Sequence, residues 1–473
     1  MKEVLIGREK EKLILSECLD SAKPEFIAVY GRRRVGKTFL VKQYLAEKID
    51  FYMTGAYGRP RRTNLAIFNE QLCERSGQRY PVAANWHEAF RQLRDFLTHL
   101  EKKQWVVFLD ELPWFDTPRS GFVSALEHFW NSWGSDQPRL KFIVCGSATN
   151  WMMNKLIGDR GGLHNRLTRS IHLAPFTLCE TEQYLKSNGI VWRRYDIIEC
   201  YMIMGGTPYY LSKLRRGLSL AQNIDELFFS PQGELRREFD FVYRSLFNDS
   251  GQYVRVVEKL GQKGKGMTRN ELLEALKMPK GGKLTELLGN LQACDFIRSY
   301  VGFGKRERDT LYQLTDLFTL FHLRFCRQQN GQDEHSWTLM MGSHEHDTWC
   351  GYAFEMVCLH HIPQIKASLG ISGVLSTVSS WQQQGTGKKA QIDLVVERRD
   401  NVINLCEMKY ANKPFVIERK YAEWLEERRE LFREATKTNK TLHLTMVTVY
   451  GIKQNAYSSV VQNEVTMDDL FKN

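Results

Sequence analysis

The stretch Gly31-Arg-Arg-Arg-Val-Gly36-Lys37-Thr38 has the glycine and lysine spacing of a loop that binds phosphates. It follows the apolar run 26–30 and leads into Phe39-Leu-Val-Lys-Gln-Tyr-Leu45, so we expect a strand before it and a helix after it. Glycines allow backbone N–H groups to point at a polyphosphate, and the N-terminus of the helix adds free donors. We predict that Lys37 binds the outer phosphates and that Thr38 holds magnesium.

The predicted cradle consists of backbone groups, so the three arginine side chains in the loop are expected to face water. The predicted nucleotide-binding residues of this stretch are Gly31, Arg32, Arg33, Arg34, Val35, Gly36, Lys37, Thr38 and Phe39. The alternative is a chance glycine-lysine turn, for which the flanking strand and helix would both be coincidences.

Asp110 and Glu111 follow the apolar run 105–109, which fits a parallel strand buried on both faces. The carboxyl ends of such strands are where open α/β sheets bind ligands. We predict that Asp110 belongs to the magnesium shell and that Glu111 orients or deprotonates the attacking water. A solvated acidic turn would look the same in isolation.

A third predicted strand, Lys141-Phe-Ile-Val-Cys145, is followed by Gly146 and Ser147. Ser147 could sense the γ-phosphate or water, or it could be a simple turn residue. Arg160, Arg166 and Arg169 follow it. An arginine finger could come from among them, but the sequence does not choose between that role and three solvated side chains.

Near the C-terminus, Asp393, Glu407 and Lys409 form a second constellation. The runs 391–396 and 402–409 read as strands joined by a turn. Side chains two residues apart share a face of a strand, so Glu407 and Lys409 lie together and the hairpin can bring Asp393 beside them. Two carboxylates with a lysine suit one or two magnesium ions and a water that attacks a phosphodiester. Cross-strand salt bridges are the alternative.

Composition sets the frame for these sites. A chain of 473 residues is too long for one core, and 42% hydrophobic with 26% charged residues is typical of a soluble globular protein. No window approaches the roughly 18 to 20 apolar residues of a membrane span, and ten widely separated cysteines favour reduced thiols, so we expect a cytoplasmic protein without a membrane partner. The net charge of +11 permits nucleic-acid binding but equally fits a solvated basic surface.

Between the two constellations, helical patterns dominate. Residues 60–100 place Trp86, Phe90, Leu93 and Phe96 on one helix face, which we interpret as core. Residues 251–325 predict three helices followed by a hairpin with a basic tip, an arrangement that binds DNA in some proteins and docks proteins in others. Lys280 and Lys283, near the third helix, are available for phosphates. The polar run 328–335 is the best linker candidate.

Five features together resemble the archaeal-type ATPase family, AAA+ related proteins of the STAND group. They are Ile6-Gly7-Arg8-Glu9, the loop 31–38, Asp110-Glu111-Leu-Pro-Trp114, Cys145-Gly-Ser147 and Gly205-Gly-Thr-Pro208. The resemblance implies that the turn at Pro208 lies in a helical lid and contacts the nucleotide, which adds Pro208 to the predicted binding residues. The residues alone indicate only a helix break with close backbone approach.

The thirteen residues between Asp393 and Glu407, with Lys409 two further on, resemble the PD-(D/E)xK nuclease motif, here in a domain of the DUF234 type. The segment 351–355 resembles the acidic helix that precedes this motif, which implies Glu355 as a further metal ligand. Ile392 stands where the motif has proline. The predicted metal ligands are thus Thr38, Asp110, Glu355, Asp393 and Glu407, and the predicted catalytic residues are Glu111, Asp393, Glu407 and Lys409.

The predicted fold class is an α/β P-loop AAA+-type parallel sheet domain with a helical lid, then an α+β winged-helix domain and an α/β PD-(D/E)xK nuclease-like domain. The predicted boundaries are 1–175 for the ATPase core, 176–250 for the lid, 251–327 for the winged helix, 328–345 for a linker and 346–473 for the nuclease-like domain.

Two further patterns favour ordinary structure. His344, His346 and the pair His360-His361 lack the fixed spacing of a metal site. The run 418–430 alternates charges at helical spacing, which predicts an exposed, salt-bridged helix, with Lys420 or Tyr421 as possible lining of a nucleic-acid channel.

The whole pattern predicts an ATP- and magnesium-dependent switch that controls a metal-dependent nuclease acting on DNA. The rival is a DNA-binding or signalling regulator whose nuclease-like domain only binds and whose winged helix docks a protein partner. The oligomeric state stays open, and assembly on activation is compatible with both.

Overall fold

A computed structural model of the protein describes residues 4–147, 149–158, 163, 165–247, 249–327, 333–383 and 390–472. The chain divides into two units, each described here by itself. The N-terminal unit comprises Met1–Ala174 and Ala293–Asp295, and the C-terminal unit comprises Pro175–Gln292 and Phe296–Asn473. The predicted lid, winged helix and nuclease-like domain all fall in the C-terminal unit, and the finer boundaries between them stay predictions.

The N-terminal unit is built on a five-stranded parallel sheet of order β2-β3-β4-β1-β5. Its strands are β1 Glu25–Tyr30, β2 Ile49–Thr54, β3 Trp105–Asp110, β4 Leu140–Gly146 and β5 Arg169–His172. Residues of β3 alternate between two core layers: Val107 packs in one and Phe108 in the other. This explains the unbroken apolar run at β3, because both faces of the sheet are covered.

The last strand of this sheet ends early in the segment 171–176, Ile-His-Leu-Ala-Pro-Phe. β5 begins at Arg169 and pairs with β1 only as far as His172. Leu173 still donates its N–H to the carbonyl of Tyr30, but Pro175 has no N–H to continue the ladder.

Six helices flank the sheet. They are α1 Glu9–Asp20, α2 Lys37–Leu45, α3 Arg61–Ser76, α4 Trp86–Thr98, α5 Phe122–Ser132 and α6 Thr149–Met152. The stripe predicted as core is confirmed on α4, where Trp86, Phe90, Leu93 and Phe96 are all at most 5% exposed.

The C-terminal unit begins with a helical region. Its helices are α7 Leu178–Ser187, α8 Arg194–Met204, α9 Pro208–Leu211, α10 Leu220–Ile224 and α11 Glu238–Leu246, and Asp225–Phe229 is π-helical. α8 ends where Gly205 and Gly206 both adopt positive φ, at 63° and 65°. The carbonyl of Gly206 accepts from the N–H of Phe176, so the predicted helix break at 205–208 is present.

The next region has the predicted order of three helices and a hairpin. The elements are α12 Ser250–Gln262, β6 Met267–Thr268, α13 Arg269–Leu276, α14 Lys283–Ala293, β7 Ile297–Tyr300 and β8 Leu311–Leu314. The three strands form one antiparallel sheet of order β6-β8-β7. A capping box between Thr268 and Glu271 opens α13. Its assignment as a winged helix that binds DNA stays a prediction.

The predicted linker 328–345 is wrong over its second half. Helices α15 Leu317–Phe321, α16 Ser336–Met340, α17 His344–His360 and α18 Ile362–Ser368 follow the hairpin. The Trp337 side chain is fully buried against Phe325. The backbone N–H of Trp337 donates to the Asp225 carboxylate. A tryptophan buries a large apolar area, which ties this segment to the unit despite its polar neighbours. Residues 328–332 lie outside the described residues.

The C-terminal sheet has the order β15-β13-β11-β10-β9, and β12 pairs with β14 in a separate ribbon. Its elements are β9 Ser376–Gln382, β10 Gln391–Arg398, β11 Val402–Lys409, β12 Phe415–Val416, α19 Arg419–Thr436, β13 Thr441–Thr448, β14 Ile452–Lys453, β15 Asn463–Thr466 and α20 Met467–Leu470. β9, β10 and β11 are antiparallel, whereas β11, β13 and β15 run parallel. The predicted pair of strands around 391–409 is confirmed.

Two of the histidines in and just after α17, His346 and His361, are buried within the C-terminal unit, whereas His344 and His360 are exposed. His346 Nε2 lies 3.3 Å from Glu199 Oε1, and both side chains are buried. The ring also faces Asp347 and the thiol of Cys350. His361, buried as well, accepts from the N–H of Leu178. No helix in the part of the chain that the structure describes is both long and apolar enough to cross a membrane.

Gly206→Ala is expected to destabilise the protein by about 2 to 4 kcal/mol, because a Cβ there adds a steric clash to the strain of positive φ. That Cβ would lie 2.3 Å from the carbonyl oxygen of Phe176. Gly217→Ala is the matched control: its φ is 86° with nothing within 4 Å, so only the strain remains, about 1 kcal/mol. Urea unfolding followed by tryptophan fluorescence measures both, and equal losses would contradict the close approach.

Glu199→Gln is expected to destabilise the protein more at low than at high pH. The pKa of His346 is raised above its usual value of about 6.5, and the largest cause is the hydrogen bond that the imidazole donates to Glu199. The stabilisation is therefore complete below about pH 6.5 and is lost as the pH rises through the raised pKa.

Urea unfolding at about pH 6 and about pH 8.5 measures this change. Glu345→Gln is the control, since the exposed Glu345 pairs with an arginine, Arg324, rather than with a histidine. An effect of Glu199→Gln as independent of pH as that of Glu345→Gln would rule out a charged His346.

Candidate functional sites

The loop between β1 and α2 depends on two glycines. Gly31 has φ 146°, and a Cβ there would lie 2.4 Å from the carbonyl oxygen of Leu173. Gly36 has φ 90° and directly precedes the first residue of α2. No side chain fits at Gly31, and only glycine adopts the backbone of Gly36 without strain. The loop therefore passes close to Leu173 and delivers the free N–H groups of α2 to its interior.

Lys37 lies inside this loop. Its ammonium group donates to the carbonyls of Gly31 at 3.0 Å and Arg32 at 2.8 Å, and the residue is 5% exposed. A buried ammonium group held only by neutral carbonyls is well placed to exchange them for phosphate oxygens.

The arginines around the loop differ from the expectation. Arg32 is only 2% exposed, so its side chain does not face water, whereas Arg33 and Arg34 are partly exposed. Arg8 is buried too, and its guanidinium donates to the carbonyl of Val35 at 3.2 Å. Sequence reasoning used Arg8 only as part of a resemblance and gave it no role. Phe39 is partly exposed on α2.

Asp110 is the last residue of β3, and its carboxylate meets Thr38. Its Oδ2 accepts from Thr38 Oγ1 at 2.8 Å, and its Oδ1 accepts from the N–H of Glu111 at 3.0 Å. Burial raises the pKa of Asp110, and the hydrogen bond from Thr38 opposes that rise. A buried carboxylate beside a hydroxyl offers hard oxygen ligands of the kind magnesium prefers, so this pair fits the predicted ion.

Glu111 is held by Ser147. Glu111 Oε1 accepts from Ser147 Oγ at 2.7 Å, and Oε2 accepts from the N–H of Ser147 at 3.3 Å. Glu111 itself has φ 49°, and Gly55 packs against it: a Cβ on Gly55 would lie 2.8 Å from the carbonyl of Glu111. The sequence analysis did not identify Gly55 as part of this site. Its position directly after β2, at the carboxyl end of a strand, could have indicated it.

Four further candidate residues of the nucleotide site, Pro208 and the three arginines that follow β4, come later in the chain. Pro208 belongs to the C-terminal unit and is the first residue of α9, where its missing N–H costs no hydrogen bond. Its contact with nucleotide stays a prediction. Arg166 and Arg169 are exposed, and Arg160 lies outside the described residues.

The second site lies in the C-terminal unit. Asp393 and Glu407 each lie one residue beyond the Leu394–Cys406 pair of β10 and β11, so they are neighbours across the strands. Both line a cavity of about 570 Å³, together with Lys409 of β11 and Glu355 of α17. The structure therefore brings together all four residues predicted from the C-terminal motif.

Glu407 is the most constrained of these carboxylates. It is 8% exposed, and its oxygens lie 2.6 Å from Arg428 Nη1 and 2.9 Å from Lys409 Nζ. Tyr421 donates its hydroxyl to the same carboxylate at 3.3 Å. A buried carboxylate needs such partners, since an unpaired charge at this depth costs several kcal/mol.

The other two carboxyls are in surroundings that oppose their ionisation. Burial, followed by the charges of Asp393 and Glu407, raises the pKa of Glu355 to about 8. Burial also raises the pKa of Asp393, whose carboxylate accepts from the side-chain amide of Gln391. Carboxyls that destabilise one another's charged forms are suited to a cation.

No three His, Cys, Asp or Glu side chains among the described residues lie close enough to form a metal site as they stand. Magnesium, however, is commonly bound by only one or two carboxylates and keeps several waters. The residues present thus fit magnesium in kind, with Glu355 and Asp393 as the carboxyls least occupied by protein partners.

The run 418–430 forms the predicted helix with ion pairs on its exposed side, but one face of the helix is buried. In α19 the residues Ala422, Leu425, Arg428 and Phe432 are buried, and Arg428 reaches Glu407. Tyr421 belongs to the same face. The spacing of Tyr421, Leu425, Arg428 and Phe432 is helical, so a stripe broken by one arginine was the signal that charge alternation obscured.

Residues from the hairpin region also line this cavity. Lys265, which lies between α12 and β6, and Arg298 and Tyr300 of β7 face the same space as Asp393. Tyr352 of α17 lines it as well. No local pattern could have shown this, because these residues are brought to the site by the packing of the hairpin on the C-terminal sheet.

Comparison with known families assigns the N-terminal region. Residues 5–214 match an ATPase domain found predominantly in Archaea. This range contains the five-stranded parallel sheet, the glycine loop and the Thr38–Asp110 pair. The N-terminal region is therefore similar to an archaeal-type P-loop ATPase domain.

Similar proteins cover more of the chain at low identity. An uncharacterized protein of Methanocaldococcus jannaschii is 23% identical over 403 residues, which are 83% of this chain and 84% of the relative. A Walker-type ATPase of Pyrococcus abyssi is 19% identical and covers 68% of this chain and 97% of its own, with a TM-score of 0.48. The ORC2 protein of Aeropyrum pernix, in ADPNP–ADP complexes, is 15% identical over 68% of this chain and 95% of its own, with a TM-score of 0.44. The ATPase assignment rests on the family match.

Arg428→Gln is expected to destabilise the protein by about 2 to 3 kcal/mol, because it leaves the buried Glu407 carboxylate short of its nearest cation. Arg433→Gln, on the same helix, is the control: Arg433 is exposed and its pairing with Glu430 is worth less than about 1 kcal/mol. Urea unfolding compares the two variants. Equal stabilities would show that Lys409 and Tyr421 alone satisfy Glu407.

Proposed function

We propose that this protein is an ATP-dependent molecular switch that controls a magnesium-dependent DNA nuclease site in its C-terminal unit. The observation that carries the proposal is the convergence of Asp393, Glu407, Lys409 and Glu355 on one cavity, in a chain that also carries a P-loop ATPase domain. Carboxylates and a lysine at one point suit phosphodiester hydrolysis.

At the nucleotide site, the loop N–H groups and Lys37 would bind the phosphates, and Thr38 with Asp110 would hold magnesium. Magnesium, when bound, neutralises the developing charge on the phosphates. Glu111 would orient the attacking water or take its proton. Ser147 donates one hydrogen bond to each carboxylate oxygen of Glu111, and each oxygen keeps a second lone pair that can accept from the attacking water.

At the C-terminal site, Glu355 and Asp393 would hold magnesium, which activates water and neutralises the phosphodiester when bound. Lys409, fixed at 2.9 Å by Glu407, would orient that water. Arg428 on the opposite oxygen prevents Glu407 from turning away, so Arg428 is a positioning residue.

Switching requires that ATP bind two states of the protein with different affinity, because a ligand that binds both equally shifts nothing. A nuclease rate that depends on ATP is therefore the functional signature of the proposal.

The rival function is a DNA-binding regulator that does not cut. One observation favours it: Arg428, Lys409 and Tyr421 already satisfy Glu407, as they would in a purely structural network. The same DNA experiment separates the two functions.

We expect the full-length protein to hydrolyse ATP and to cut DNA in magnesium or manganese at a rate that changes with ATP. Lys37→Ala removes phosphate binding and Glu111→Gln removes the carboxylate that acts on water, so each is expected to lower ATP hydrolysis at least about 100-fold. Asp393→Asn is expected to lower cutting about 100-fold or more. The substrates are supercoiled, linear and single-stranded DNA, each with and without ATP.

Glu397→Gln is the matched control for Asp393→Asn, since Glu397 lies on the same strand but pairs with Lys440 away from the cavity. It should cut like the wild type. Absence of cutting on every substrate, or equal cutting by Asp393→Asn, would refute the nuclease. DNA binding that persists in that case would support the regulator.

A further inference from the structure

We propose that Lys265 and Trp424 form the two walls of a binding site for an unpaired DNA strand, which leads its phosphates to the carboxylates of the C-terminal cavity. This inference rests on the proposed nuclease function and adds the class of substrate and the residues that select it.

Lys265 lies between two glycines, Gly264 and Gly266, whose backbones pack closely on neighbouring residues. A Cβ on Gly264 would lie 2.8 Å from the ring of Tyr352, and one on Gly266, whose φ is 82°, would lie 2.6 Å from the carbonyl of Tyr312. Only glycine allows the backbone to approach both neighbours so closely. The segment 264–266 is thus a loop whose backbone is in close contact with Tyr352 of the cavity wall and with Tyr312.

The loop is also anchored by its carbonyls. The carbonyl of Gly264 accepts from Gln313 Nε2 at 2.6 Å and from Tyr352 OH at 3.3 Å. The carbonyl of Lys265 accepts from Tyr300 OH at 2.7 Å. With both carbonyls bonded to side chains of the wall, the backbone of Lys265 has a fixed position.

The side chain of Lys265 is not held by an ion pair among the described residues, and it is exposed. Lys265 lines the same cavity as the Glu355 and Asp393 carboxyls, so a phosphate that enters this cavity would meet its ammonium group.

Arg298 adds a second cation to the same wall. Its Nε donates to Gln313 at 2.7 Å, and its guanidinium lies 4.5 Å from the ring centre of Tyr300. These contacts fix the plane of the guanidinium, which favours recognition of phosphate oxygens.

The hairpin that carries this wall is docked on the C-terminal sheet. Phe303, in its connecting loop, packs on Phe432 with ring centres 5.0 Å apart. The N–H of Phe303 donates to the carbonyl of Ser380 in β9 at 2.7 Å. The cavity is therefore bounded by the hairpin on one side and by α19 and the sheet on the other.

Trp424 lies on the α19 side of the cavity. It is 39% exposed, and its indole lies over the guanidinium of Arg428 at 4.2 Å. Exposed aromatic rings beside cations are the usual platform for unpaired bases, each of which gains about 1 to 3 kcal/mol by stacking. A base paired and stacked within a duplex does not have a face available for this indole.

The recessed carboxylates point to the same substrate. Glu355 and Asp393, which would hold magnesium, line the cavity that Lys265 and Trp424 also line, so a phosphodiester must enter the cavity to reach them. A strand that enters a two-walled cavity has to leave its complement, which costs a few kcal/mol for duplex DNA and nothing for an unpaired strand.

The test measures binding in magnesium by fluorescence anisotropy, using full-length protein with Asp393→Asn to prevent cutting. The probes are a labelled oligonucleotide of mixed sequence, as a single strand and annealed to its complement as a blunt duplex. We expect the single strand to bind about tenfold more tightly or better, by the stacking of one base. Duplex binding as tight as single-strand binding would overturn the substrate class.

Lys265→Ala in that background should weaken single-strand binding about tenfold and lower the slope of log affinity against log salt by about 0.7. Lys265→Arg should retain most of the affinity. Lys263→Ala is the matched control: it removes the same charge two residues away, where Lys263 pairs with Glu271 outside the cavity, and should stay within about twofold. Equal effects of Lys263→Ala and Lys265→Ala would overturn the role of Lys265.

Trp424→Ala should weaken single-strand binding about tenfold, whereas Trp424→Phe should keep most of it, because stacking needs a ring and not an indole N–H. Equal losses in the two variants would show a structural role through Arg428 and overturn the stacking wall. These outcomes are separate from the nuclease test, because binding is measured in a protein that does not need to cut.

Discussion

A buried carboxylate must have a partner, and both candidate sites depend on this constraint. Asp110 meets it with the hydroxyl of Thr38, and Glu407 meets it with Arg428 and Lys409. The energy lost on removing carboxylates from water is recovered only through such contacts. Thr38 and Arg428 lie on other elements than the carboxylates they contact, so satisfying these charges also fixes where α2 and α19 pack.

Glycines solve the opposite problem, that of bringing backbone close to backbone. Gly31 against Leu173 shapes the nucleotide loop, and Gly206 against Phe176 shapes the turn after α8. Gly264 and Gly266 press Lys265 onto the wall of the C-terminal cavity. In each case the absence of Cβ permits an approach of two backbone or side-chain groups that no other residue allows.

Much of the architecture could be predicted from local pattern. The run at β3 predicts a strand covered on both faces, and the capping box at Thr268 opens the helix it predicts. Errors arose where one residue outweighed its neighbours. Trp337 is buried within a polar stretch, and Arg428 is buried within a charged helix, because each finds a partner that sequence reasoning could not place.

The sequence by itself determined the residues that can do chemistry: a phosphate loop with its acidic strand end, and two carboxylates with a lysine on adjacent strands. Their spacing along one or two elements is enough, since strand and helix periodicity sets which side chains share a face. Only the tertiary structure decided what surrounds them. Glu111 is held by Ser147, Glu407 by Arg428, and the cavity of Asp393 is walled by Lys265. These neighbours depend on how whole elements pack, and local periodicity carries no information about that.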